Sequence, residues 1–199
     1  MVLASRGGLP AMSALVAGLP PTFPIPVLVA QHRPGSADPG RLPWLLGRRA
    51  ALPVRSARPG MAASAPGVTL IPGGRAAVVD PAGQLRLAVS REPAGDALLA
   101  SAAETASHGA VIAVVLSGML RGGGAEGVRA VKRHGGRVLA QDPATAEAPG
   151  MPASAIATGC VDFVLAPDRL AVALVALAMA PGGAELLTVP LPHWAKIGA

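Results

Sequence analysis

The chain has 199 residues, enough for one domain with a substantial core, and its 51% hydrophobic content excludes a disordered chain. Aromatic residues make up only 2%, so the core has to be built from Ala, Val, Leu and Ile, which suits helices packed on a parallel sheet. The net charge of +6 comes almost wholly from arginine, no basic run exceeds two residues, and the few aromatics leave nothing to stack on bases; a nucleic-acid partner is not expected.

In chain order, MVLA (1–4) reads as a short buried strand and LPAMSALVAGL (9–19) as a helix with Pro10 in its first turn. PPTFPIP is a loop, and VLVA (27–30) is a second buried strand that ends at Gln31-His32-Arg33-Pro34. The stretch from 35 is broken by Gly and Pro and turns helical around LPWLLGRRA; PVRSA (53–57) is a candidate third strand. VTLIP (68–72), AAVVD (76–80) and LRLAV (85–89), with turn signals between them, predict a small antiparallel patch. DALLASAAETASHG (96–109) predicts a helix stopped at Gly109. VIAVVLS (111–117), continuous, β-branched and apolar, is the strongest strand signal in the chain. EGVRAVKRHG (126–135) reads as a helix, RVLAQ (137–141) as a strand, and helical signals return around MPASAIATG. VDFVLA (161–166) is a strand and DRLAVALVALAMA (168–180) a helix, leaving 181–199 as a C-terminal tail after one domain over 1–180. The alternation predicts an α/β fold: a doubly wound, mostly parallel sheet with helices on both faces and the small antiparallel patch.

Cys160 is the only cysteine, so no intrachain disulfide forms and a cytoplasmic location is expected. LAVALVALAMA falls short of the roughly 20 residues of a membrane span, so no membrane insertion is expected. Gly7, Gly8 and Pro10 argue against an export signal in the first segment. No His/Cys/Asp/Glu cluster has metal-ligand spacing, and neither metal nor cofactor is expected; Cys160 reads as a buried core thiol. His108 and His134 precede glycines at helix ends, where a cation suits the dipole, and His193 lies in the tail.

Sites in doubly wound sheets form beyond the carboxyl ends of strands. Here those loops read SRGG, QHRP, SGMLRGGGAEG and QDP. Ser5 and His32 open two of them. A hydroxyl becomes a useful nucleophile when a neighbouring imidazole accepts its proton, and adjacent strands would bring these two groups together. Gly7 and Gly8 allow a sharp turn and a close approach to substrate, and the following helix N-terminus would aim N–H groups at a developing oxyanion. The bland alternative is that Ser5 is a cap-and-turn residue and His32 a structural one. A different class of reading comes from Gly122-Gly123-Gly124-Ala125-Glu126-Gly127, which fits G-x-G-x-x-G, with Glu147 about 20 residues on as a ribose acid; SGMLR, however, separates it from the strand end.

The paired SRGG and QH motifs, the run VVLSGM and above all GGRVLAQDPATAEAPGMPASAI, taken in their order and spacing, resemble the catalytic domain of the bacterial chemotaxis protein-glutamate methylesterases over residues 1 to about 178. The resemblance implies a doubly wound α/β sheet, Ser5 as nucleophile, His32 as its base, and the backbone amides of Arg6 and Met119 as oxyanion donors. It implies ester hydrolysis at glutamyl methyl esters of a chemoreceptor or similar signalling protein. It also implies a regulatory receiver domain, which is expected to be absent because the chain starts at its first strand. Three departures stand out. The family carries a triad Asp a few residues after its GM motif; the matching position here is Gly122 or Gly123, and no Asp occurs between 97 and 141. A family His near position 76 is replaced by Ala76, and Arg6 stands where the family prefers a small residue, to narrow the site or clamp a substrate carboxylate. Glu126, in the same loop, and Asp142, after the next strand, are the substitute carboxylates considered, each with an ordinary reading as a helix first-turn charge or a turn residue. Without a working triad the expected alternative is a catalytically dead binding module in bacterial signalling.

Overall fold

A computed structural model describes residues 1–33, 40–90, 95–107, 110–119 and 124–179. The predicted loop segment after Pro34, the helix stop at Gly109 with His108, the Gly122 and Gly123 positions, and the tail with His193 lie outside the described residues.

Seven parallel strands form the central sheet: β1 (Val2–Ala4), β2 (Val27–Gln31), β3 (Val54–Ser56), β4 (Val68–Leu70), β7 (Ile112–Val115), β8 (Arg137–Gln141) and β9 (Phe163–Leu165). Their order is β3-β4-β2-β1-β7-β8-β9. The chain therefore starts at the centre, builds one half, then returns to the other side of β1, and the winding reverses at β1. In open α/β sheets that reversal leaves a crevice beyond the strand ends, where sites form. Two strands, β5 (Arg75–Val79) and β6 (Leu85–Val89), make a separate antiparallel hairpin.

The expectation for residues 68–72 is corrected here. β4 does not join the antiparallel patch; it pairs in parallel with both β2 and β3. Val68, Thr69 and Leu70 are all buried, as an interior strand covered on both faces requires, whereas β5 and β6 each leave residues exposed.

Side-chain alternation along β1 divides the core. Val2 and Ala4 face a layer made with α1 (Gly8–Ala17), α2 (Arg41–Gly47) and α6 (Pro167–Met179), rich in Leu15, Leu46, Leu170 and Leu174. Leu3 faces the opposite layer, formed with α3 (Gly95–Thr105), α4 (Ala125–Arg133) and α5 (Gly150–Ala157) through Leu99, Val128, Val131 and Ala155. The hairpin packs under α3 through Ala77, Val79, Leu85, Leu98 and Ala102. No helix among the described residues is long and apolar enough to cross a membrane.

Candidate active site

The parallel ladder between β1 and β2 ends with Ala4 opposite Gln31, and the His32 N–H continues it by donating to the Ala4 carbonyl at 2.9 Å. Ser5 and His32 are thus the next residues in register on adjacent strands, whose backbones lie about 4.8 Å apart. Ser5 is 8% exposed, His32 is exposed, and both line one open cleft with Arg6, Gly7, Gln31, Arg33 and Glu147. The two residues that the sequence pairs are brought together.

Behind Ser5 the chain turns sharply: the Gly8 N–H donates to the Ser5 carbonyl at 3.0 Å, and Gly7 sits at φ 69°. A Cβ on Gly7 would lie 2.5 Å from that of Glu147 and 2.7 Å from Ser117 Oγ; one on Gly8 would meet that of Ala4 at 2.7 Å. Both glycines are required by space, and Gly7 by conformation as well.

A buried polar hub holds the turn. The Ser5 N–H donates to the Ser117 carbonyl at 2.9 Å. Ser117 is fully buried; its N–H donates to Gln141 Oε1 at 2.9 Å, its hydroxyl donates to the Arg6 carbonyl at 2.8 Å, and the same oxygen accepts from the Ala148 N–H at 3.0 Å. Gln141, 2% exposed, spends its amide on the Thr145 carbonyl and hydroxyl at 3.1 and 3.2 Å. Sequence reading passes over Gln141, because at the end of RVLAQ it looks like an ordinary polar strand terminus. Gly118 packs so closely that a Cβ there would meet Ser5 Cβ at 2.9 Å. Its N–H is used by the Ala148 carbonyl, and its own carbonyl accepts from Met151 at the start of α5. Among the described residues no acceptor takes the Arg6 or Met119 N–H, the two groups expected from the sequence as oxyanion donors.

The Arg6 guanidinium reaches across the cleft, with Nη1 3.0 Å from Met119 Sδ and Nε 4.0 Å from Glu147 Oε1. The substitute carboxylates considered from sequence do not converge on His32. Glu126 accepts from Arg129 one turn along α4 at 2.6 Å, and Asp142 caps the short 3-10 turn Pro143–Thr145 through the Ala144 N–H at 2.9 Å. Asp142 follows β8, three strands from β2, roughly 14 Å away at the usual strand spacing. Neither lines a cavity at His32. The glycine-rich start of α4 is not an open phosphate cradle either. The Gly124 and Gly127 N–H groups already donate to Asp96, at 3.1 and 2.6 Å, and Glu147 faces Arg6. Among the described residues no group of three or more His, Cys, Asp or Glu is placed to hold a metal ion.

Residues 1–174 match the family model described as CheB methylesterase. A protein-glutamate methylesterase/protein-glutamine glutaminase of Anaeromyxobacter dehalogenans is 40% identical over 183 residues, covering 85% of this chain and 51% of that protein. The protein-glutamate methylesterase FrzG of Myxococcus xanthus is 33% identical over 178 residues, covering 87% of this chain and 52% of that protein. The chain spans about half the length of these relatives. The crystal structure of the Thermotoga maritima CheB methylesterase catalytic domain superposes with a TM-score of 0.77 at 31% identity, covering 88% of this chain and 96% of that one.

Proposed function

The chain belongs to the CheB methylesterase family, and from that premise we propose that it hydrolyses γ-glutamyl methyl esters on a signalling protein, with Ser5 as nucleophile and His32 as base. The observation that carries this reading is the register of Ser5 and His32 at two neighbouring strand tips; among the described residues the Arg6 and Met119 N–H groups have no acceptor, which supports their use as oxyanion donors. A methylated chemoreceptor is the substrate class in view; the relatives' names attach the methylesterase activity to them.

The steps follow from the groups present. His32 takes the Ser5 hydroxyl proton as Oγ attacks the ester carbonyl carbon. The carbonyl π electrons move onto oxygen, where the Arg6 and Met119 N–H groups stabilise the charge. Collapse expels methoxide, which leaves as methanol with the proton from His32. Water then attacks the acyl-enzyme carbonyl and gives a proton to His32; collapse breaks the acyl–Oγ bond, Ser5 Oγ takes that proton back from His32, and the glutamate side chain is released. Nothing in this cycle distinguishes an ester from a primary amide except the leaving group, so the glutaminase part of one relative's name makes deamidation of a glutamine side chain the second reading.

Labelling with a fluorophosphonate probe, compared between the chain and Ser5→Ala, tests the assignment. Labelling of the parent alone is expected, with methanol release from a γ-methyl-glutamyl peptide falling on the order of 10⁶-fold in the variant, as loss of a serine nucleophile does elsewhere. Equal labelling of both proteins would remove Ser5 from the chemistry and leave a binding module.

A further inference from the structure

We propose that Asp96 is the orienting carboxylate of this site, a positioning residue that acts on His32 from the side facing away from Ser5. This deepens the hydrolase reading above and rests on it. His32 lies between two spaces. One is the open cleft it shares with Ser5. The other is a narrow cavity of ≈ 50 Å³ on the α3/α4 side of the sheet, lined by His32, Gln31, Arg33, Arg75, Asp96 and Gly124 among others, and not by Ser5. An imidazole that takes a proton from a hydroxyl on one side needs an acceptor for its other N–H, which fixes the tautomer and stabilises the imidazolium. Among the described lining residues of the second space, Asp96 is the one carboxylate.

The fold places Asp96 there through helix packing. At the crossing of α3 and α4 a Cβ on Gly127 would lie 2.7 Å from Leu99 Cβ and 2.9 Å from Asp96 Cα, so only glycine lets the first turn of α3 sit this close to α4. Asp96 then accepts one N–H on each oxygen, from Gly127 and Gly124, which holds the carboxylate rigid at the N-terminus of α4. Each oxygen retains a second lone pair for a further donor.

The cavity is also built for water. A water needs about 10–15 Å³ of this space and two to four polar partners. Gln31 Oε1 and Arg33 Nε, on two residues that line both spaces, are buried and make no hydrogen bond among the described residues. They supply partners alongside His32 and Asp96, so the imidazole N–H can reach the carboxylate through solvent. The charged groups around His32 among the described residues are Arg33, Arg75 and Asp96 on this side and Arg6 and Glu147 on the other.

The test is steady-state hydrolysis of p-nitrophenyl acetate by the full chain, with Asp96→Asn and Asp96→Ser. Both variants keep an acceptor for the α4 amides and lose the charge. Expected are a kcat lower by about 10²- to 10³-fold, below the ~10⁴ of an amide replacement in direct contact with the imidazole, an unchanged KM, and an acidic limb of the kcat/KM profile moved to lower pH. Asp96→Glu should recover part of kcat. Turnover that depends on Ser5 and is within threefold of the parent in both variants would overturn this role alone. So would a fall in kcat that tracks a fall in melting temperature with the acidic limb unmoved, which is what a pure helix cap gives. Turnover that survives Ser5→Ala would overturn the hydrolase reading, and this role with it.

Discussion

Two buried residues set the position of Ser5, the proposed nucleophile. Ser117 offers its carbonyl to the Ser5 N–H, and Gln141 accepts the Ser117 N–H from two strands away from β1. Replacing Gln141 by Leu leaves the fully buried Ser117 N–H without a partner, whereas the exposed Thr145 can turn to water. Such a loss costs about 1–3 kcal/mol. The expected result is a melting temperature lower by several degrees together with reduced fluorophosphonate labelling of Ser5, read by thermal denaturation and by gel fluorescence on the same sample. Cys160 sits at the opposite extreme. It is 1% exposed, packs in the Leu3 layer, and burial pushes its thiol up from the ordinary range, so little thiolate forms near neutrality. The native protein should therefore leave a thiol reagent such as Ellman's reagent unconsumed at pH 8, and consume one equivalent after guanidinium unfolding. Rapid reaction of the native protein would contradict the described packing.

At the level of elements, the site exists because loops of very different sequence are pressed together at glycines. Gly118 is the tightest case, with Ser5 Cβ 2.9 Å and Met151 Sδ 2.0 Å from where its own Cβ would be. The methionine can swing aside, but Ser5 is pinned by its strand. Gly118→Ala should thus move the 117–119 loop away from Ser5 and take the Met119 N–H out of range. A displacement near 1 Å costs on the order of 100-fold in kcat, with overpacking adding about 1–3 kcal/mol of destabilisation, both measurable on one purified variant. The same dependence on contact explains what could be read from the chain. The adjacency of Ser5 and His32 is legible because Ser5 follows MVLA directly and His32 follows VLVA after Gln31 alone, and parallel topology sends every such tip to one edge. β4 misleads because VTLIP looks the same locally whether it pairs with its neighbour in sequence or with β2 and β3 across the sheet. Asp96 is invisible as a partner for His32, since its place depends on how closely α3 and α4 cross at Gly127. No spacing rule along the chain records that approach.

Over the whole molecule, chemistry and stability are assigned to opposite ends of the sheet. The carboxyl ends of β1, β2 and β7 carry the open cleft, the glycine turns and the exposed cations. At the start of β8 lies a buried ion pair: Lys132, near the end of α4, donates to Asp162, and the other Asp162 oxygen accepts the Val138 N–H at 2.7 Å. Their side chains are 3% and 0% exposed, so the pair ties α4 to the β8–β9 edge in a place water does not reach. Removing one partner strands the other's charge, which costs about 3–5 kcal/mol, whereas replacing both by apolar residues of similar volume is often close to neutral. Lys132→Met should lower the melting temperature by about 10 °C for a domain of this size. The double variant Lys132→Met/Asp162→Leu should recover part of that fall, short of the parent because the Val138 N–H then has no acceptor. Because the pair is a full strand length from Ser5, kcat measured well below the melting transition should stay within twofold of the parent in both variants. A variant that keeps its melting temperature but loses turnover would show that the two ends of the sheet are coupled, and that rigidity at the β8–β9 edge is part of how the serine is held.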